Sequence, residues 1–155
     1  MKRAAVNIVD NTIKMIKNAN SVNKNIKESK LEPMHKVFAH KLVEVSLRLE
    51  QGEGFGKLST RMLIDVFTFN AVLYYKKDIS ILSDAIYDRL FKHLQVRYKK
   101  GRIKKQDFYY IPNDLFEQAT GSFPHVLDFF IIDLATYYSN NQKEVDKIVK
   151  RRSNV

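Results

Sequence analysis

Apolar side chains recur in this chain every three or four residues, segment after segment, and that rhythm is helical. Val6, Val9, Ile13 and Ile16 make one stripe. Beyond Pro33, which suits a first helical turn, Met34, Phe38, Leu42, Val45 and Leu49 make a second, widened by Val37. Ser59 is placed to cap a third helix through about Tyr75, with Met62, Leu63, Val66, Phe67, Phe69, Val72 and Leu73 as its core face. Ser83 followed by Asp84 reads as an N-cap and an acidic first turn for a fourth helix to about Tyr98, with Ile86, Leu90, Leu94 and Phe91 inward. Asn113 and Ser122 read as caps for two more. The second of these, FPHVLDFFIIDLATYY, is apolar on most sides and is expected to be the central helix of the core. The tail EVDKIVKRRSNV reads as a short helix, and only two or three residues near Phe108 to Ile111 hint at strand. The expectation is an all-α single domain of about six helices over 31–155, preceded by a basic helix or arm over 1–30 that is free to move.

The breaks between these segments carry little chemistry of their own. GEGFG (52–56) invites a phosphate-loop reading, but a dinucleotide fold needs GxGxxG after a strand, and here the spacing is GxGxG after a helical segment. It reads as a helix–helix loop, as does KKDISILS (76–83).

Composition removes whole function classes. There is no Cys, which excludes disulfide scaffolds, thiol catalysis and Cys-based zinc sites. No apolar run approaches the roughly 20 residues that span a bilayer, and MKRAAVNIVDN lacks a signal-peptide core, so a cytoplasmic protein is expected. His35, His40, His93 and His125 do not pair at a metal-binding spacing beside carboxylates, and no nucleophile elbow occurs.

The formal charge of +10 points to anionic partners. It falls into three clusters: 1–30 with seven basic and two acidic residues, 97–105 with six and none, and 143–152 with five and two. The middle run, Arg97, Lys99, Lys100, Arg102, Lys104 and Lys105, is interleaved with Tyr98, Phe108, Tyr109 and Tyr110. Cations mixed with rings can bind nucleic acid by phosphate attraction and base stacking; the same pattern also arises when rings are core and lysines are solvated.

Residues 73–94 read LYYKKDISILSDAIYDRLFKHL. This stretch resembles the small N-terminal helical domain of the bacterial NAD-dependent DNA ligases. That family has a helix ending in Tyr-His, a loop of similar length, then Asp-Ala-Glu-Tyr-Asp opening a second helix and followed by Arg-Leu. The match runs without gaps from Tyr74 and Tyr75 through Asp84, Ala85, Ile86, Tyr87, Asp88, Arg89 and Leu90. The resemblance implies binding of nicotinamide mononucleotide (NMN), or the NMN half of NAD, with Tyr74, Tyr75, Asp84, Tyr87 and Asp88 at the contact positions. The residue types suit that ligand: nicotinamide in NAD is a flat cation, which tyrosine faces and carboxylates attract. Asp84, Tyr87 and Asp88 stand at i, i+3 and i+4 on one side of a helix start. The plainer reading of the carboxylates is that Asp84 serves the helix N-terminus and Asp88 pairs with Lys92.

The sequence departs from the family at Tyr75, where the family has His, and at Ile86, where it has an acidic residue. The adenylate-accepting Lys-x-Asp-Gly is absent, because Ile79 and Phe108 follow the nearest approaches to it, Lys76-Lys77-Asp78 and Lys105-Gln106-Asp107. A complete ligase is excluded. The expectation is a small nonenzymatic NAD- or NMN-binding module, or an accessory subunit of a split ligase. The usage of Lys, Asn, Ile and Tyr, that of an AT-rich genome, permits a phage origin and hence a host cytoplasm. The other expectation is a basic helical regulator or inhibitor that binds DNA, RNA or an acidic host protein and has lost the nucleotide site.

Overall fold

The computed structural model describes residues 31–104, 111–112 and 114–153. The chain divides into two compact units, 1–34 and 35–155, and the fold described below is that of the second. The expected N-terminal arm, Lys105, Phe108, Tyr109, Tyr110 and the Asn113 cap lie outside the described residues.

Five α-helices and two single 3-10 turns make up the described residues, with no strand among them. Helix α1 runs from Pro33 to Glu50. It ends in a Schellman turn: the Glu53 N–H reaches Arg48 O, the Gly52 N–H reaches Leu49 O, and Gly52 takes the left-handed φ of 102° that favours glycine. Arg48 clamps this turn with a bidentate pair to Glu53, at 2.6 and 2.7 Å. A 3-10 turn, Phe55–Lys57, leads to α2, Thr60–Lys77, whose N-cap Ser59 accepts from the Met62 N–H at 3.1 Å. Helix α3, Asp84–Lys99, is capped by Ser83, and it too ends in a Schellman turn, at Gly101 (φ 70°). Ser83 is itself held by Glu50, which accepts from its N–H at 2.8 Å and its hydroxyl at 3.1 Å. A 3-10 turn, Leu115–Glu117, follows, then α4, Phe129–Asn140, and α5, Gln142–Ser153.

The central helix is α2. It buries Leu63, Ile64 and every residue from Val66 to Leu73, so it is enclosed on all sides. Helices α3 and α4 pack on it. The expectation had given the centre to the segment after Ser122. That segment is helical only from Phe129, and α4 buries a single stripe, Ile131, Leu134, Ala135 and Tyr138, while Phe129 is 74 % exposed. Its start is set by Asp128, whose carboxylate accepts from the Phe130 and Ile131 N–H groups at 3.1 and 3.2 Å. Between the 3-10 turn and Asp128 the chain forms no regular element, and side chains of α3 bind carbonyls along it and at the turn. Gln95 donates to the Phe116 and Gln118 carbonyls, and Tyr87 donates to the Gly121 carbonyl. Phe123 and Val126 from this strap are buried.

Two further expectations shift. Met34 and Val37 point outward, 74 % and 56 % exposed, because the inner face of α1 follows Ala39, Leu42, Val43, Ser46 and Leu49. His40 is also buried, its Nε2 3.1 Å from the Tyr137 hydroxyl of α4. Among the described residues no helix is long and apolar enough to cross a membrane.

Asp65 of α2 lies largely buried, 3.5 Å from Arg61. Burial pushes its carboxyl from 3.8 up to about 6; Arg61 opposes the rise and Asp128 adds to it. A carboxyl whose folded value exceeds its unfolded one costs stability where the unfolded chain is ionised and the folded one is not. The Asp65 contribution therefore falls as pH rises from about 4 to about 6, by about 3 kcal/mol. Urea denaturation across that range is expected to show Asp65→Asn gaining stability over the native protein as pH increases. A difference that does not change with pH would refute this.

Candidate functional site

Where α2 ends, Asp78 turns the chain in a left-handed conformation (φ 54°), and the loop through Ser83 feeds α3 back alongside it. The hairpin so formed encloses a pocket of about 160 Å³. Asn70, Tyr74 and Tyr75 line it from α2, Ile79, Ser80 and Leu82 from the loop, and Asp84 and Tyr87 from α3. Four of the five residues placed at nucleotide-contact positions by the sequence resemblance thus share one cavity. Asp88 does not line it; its carboxylate pairs with Lys92 at 2.8 Å one turn along α3, as the plainer reading of that spacing had it.

The aromatic residues are held in different ways. Tyr74 and Tyr75 meet edge to face, centroids 4.9 Å apart, and both keep substantial exposure. Tyr75 donates its hydroxyl proton to Ser122 Oγ at 3.1 Å. Tyr87 is fixed more firmly. Its ring stacks on Phe67 at 5.0 Å, and its hydroxyl donates to Gly121 O at 2.7 Å. Burial, and then Tyr75, push the Tyr87 hydroxyl far above the usual phenol range, so it stays protonated and donating. Asp84 stands exposed in the first turn of α3, where a carboxylate complements the helix N-terminus. Two tyrosine rings open to solvent, one locked ring and one carboxylate can together receive a flat cationic group.

Among the described residues, the members of the basic run stand in different settings. Arg97 is half-buried and spans the start of α2: it donates to Thr60 Oγ1 at 2.9 Å, to Leu58 O at 3.0 Å, to Phe55 O at 3.3 Å and to His93 Nε2 at 3.0 Å. Burial and then Arg97 lower the pKa of His93, which suits its role as acceptor. Tyr98 packs on Phe116 at 5.5 Å and reaches Glu117 at 3.3 Å. Lys99, Lys100, Arg102 and Lys104 are exposed around the Gly101 turn. Among the described residues no three His, Asp or Glu side chains gather as a metal site would need.

Sequence reasoning passed over Asn70, Ser80 and Gly121. Asn70 carried a signal: it is a lone amide in the run VFTFNAVL, four residues before Tyr74 and so on the same side of the helix. Comparison with protein-family models, with curated proteins and with solved structures finds no match.

Three variants test this construction. A Cβ at Gly121 would come within 2.8 Å of Phe91 Cγ and 3.0 Å of Phe91 Cβ, so Gly121→Ala is expected to cost about 1–3 kcal/mol in urea denaturation. Arg97→Lys is expected to lose about 1–3 kcal/mol, because one ammonium cannot span four acceptors, whereas Lys99→Ala should stay within about 0.5 kcal/mol. Equal effects of the last two would return Arg97 to the solvated surface.

Proposed function

We propose that this chain is a nonenzymatic binding module whose pocket takes the nicotinamide end of a nucleotide, NMN or NAD. The observation that carries the reading is the convergence of Tyr74, Tyr75, Tyr87 and Asp84 on one cavity. Its size supports the same reading. About 160 Å³ is below the roughly 300–1,000 Å³ of sites that enclose a whole drug-sized ligand, so the pocket accepts one ring and leaves ribose and phosphate outside. A pyridinium is a flat cation, matched by tyrosine faces and a carboxylate. Such a module can act alone or supply the nicotinamide-binding part to a separate nucleotidyltransferase chain. The other reading, a surface for nucleic acid or an acidic protein, now rests on Lys99, Lys100 and Arg102, since Arg97 and Tyr98 are engaged within the fold and Lys104 has an interaction of its own.

Thermal melting tests this directly. NMN at about ten times its Kd adds about 1.4 kcal/mol, which raises Tm by about 3–6 °C in a protein of this size. Adenosine monophosphate, which lacks the cationic ring, should give no shift. Tyr74→Ala and Asp84→Asn should remove the NMN shift, and Asp88→Ala should leave it. No shift at millimolar NMN or NAD would overturn the reading.

A further inference from the structure

Asn70 is the one buried polar side chain that lines the pocket, only 4 % exposed. Its amide is oriented by a chain of hydrogen bonds with a fixed direction. The Ser46 hydroxyl gives its proton to Leu42 O at 2.7 Å, so its oxygen is left to accept. Asn70 Nδ2 supplies that bond at 2.9 Å and uses its other hydrogen on Val66 O at 2.8 Å. A carbonyl acceptor on one side and a committed hydroxyl on the other allow only the nitrogen to face them. Asn70 Oδ1 is therefore the free end, and among the described residues none donates a hydrogen bond to it. Among the described residues no buried side-chain oxygen or nitrogen lacks a partner, so this oxygen is not sealed in the core; it meets the space of the pocket its residue lines.

Of the other polar groups around that space, Asp84 and the two anchored tyrosines have the same bias, while the Tyr74 and Ser80 hydroxyls can donate as well as accept. Asp84 offers a carboxylate, and the hydroxyl protons of Tyr87 and Tyr75 are committed to Gly121 O and Ser122 Oγ. A ligand group that reaches Asn70 Oδ1 meets an acceptor in a pocket that carries the Asp84 charge, so it must bring an N–H donor there and is disfavoured if it carries an anion of its own. Resting on the nicotinamide reading above, we infer that Asn70 Oδ1 accepts from the ring carboxamide and makes the pocket selective for nicotinamide over nicotinic acid, whose carboxylate has no proton to give and faces Asp84. Asn70 is thereby a specificity residue rather than a packing residue.

Calorimetric titration with NMN and with nicotinic acid mononucleotide tests it. The native protein is expected to prefer NMN by at least about tenfold. The informative variant is Asn70→Leu, which is close in shape and leaves no orphaned group: Ser46 keeps its bond to Leu42 O, and Val66 O keeps its helical N–H. In that variant the preference should shrink to within about threefold, through weaker NMN binding. Equal affinity of the two nucleotides for the native protein overturns the inference and leaves the pocket reading standing. A preference that survives Asn70→Leu also overturns it, by assigning the discrimination elsewhere. Binding of neither nucleotide overturns both readings together.

Discussion

The ring of Phe67 is where three parts of the molecule meet. It is fully buried on the central helix and stacks with Tyr87 at 5.0 Å, Phe91 at 5.9 Å and Phe123 at 6.4 Å. Tyr87 and Phe91 come from α3, and Phe123 comes from the strap before α4. One side chain thus fixes the distance between the two helices of the pocket and the segment behind them. The gain from such ring pairs is added to the burial of large apolar areas. Because interiors are close-packed, a shift in any of these rings is felt by the others. The position of Tyr87 in the pocket is in this sense a property of the core.

The strap shows how an irregular segment can lie against helices without a sheet to pair with. Its backbone polar groups need partners as any others do. Here side chains from α3 provide some of them: Gln95 caps the carbonyls of Phe116, in the preceding 3-10 turn, and of Gln118, and Tyr87 caps that of Gly121. Gly121 lets the chain approach Phe91 where any side chain would collide. The pocket's outer wall is built from the same contacts, since Tyr75 is tied to Ser122 and Tyr87 to its neighbour Gly121.

What could be read in advance was what depends on neighbours in sequence. Ser59 and Ser83 cap where a serine ahead of an apolar stripe should, and the all-helical class follows from the spacing of the apolar residues. The glycine stretch at 52–56 announced a break, and the structure supplies its reason in the Schellman turn at Gly52. What could not be read depends on distant partners. Ser122 has as good a capping side chain as Asp128, but Gly121 and the strap are already engaged by α3, so the helix waits for Asp128. Arg97 looked like one more cation in a basic run. Only the folded chain shows that the loop before α2 has carbonyls that need it. Within the site, the shared face of Asp84 and Tyr87 was legible from spacing alone, whereas the departure of Asp88 toward Lys92 was a choice between two local options that spacing leaves open.

The ties from the pocket to the strap have a consequence for how this site comes into being. Tyr87 and Gly121 are separated by 34 residues, and Tyr75 and Ser122 by 47. Helices α2 and α3 can pair early, since the loop between them is short, but the contacts that set the two tyrosines require a much longer loop to close, and such contacts are entropically late. A fragment ending after α3 would contain every pocket-lining residue and still lack the anchors that aim Tyr75 and Tyr87. The smallest unit able to carry this site is therefore larger than the stretch in which its residues are written, and extends at least to the strap that ends at Asp128.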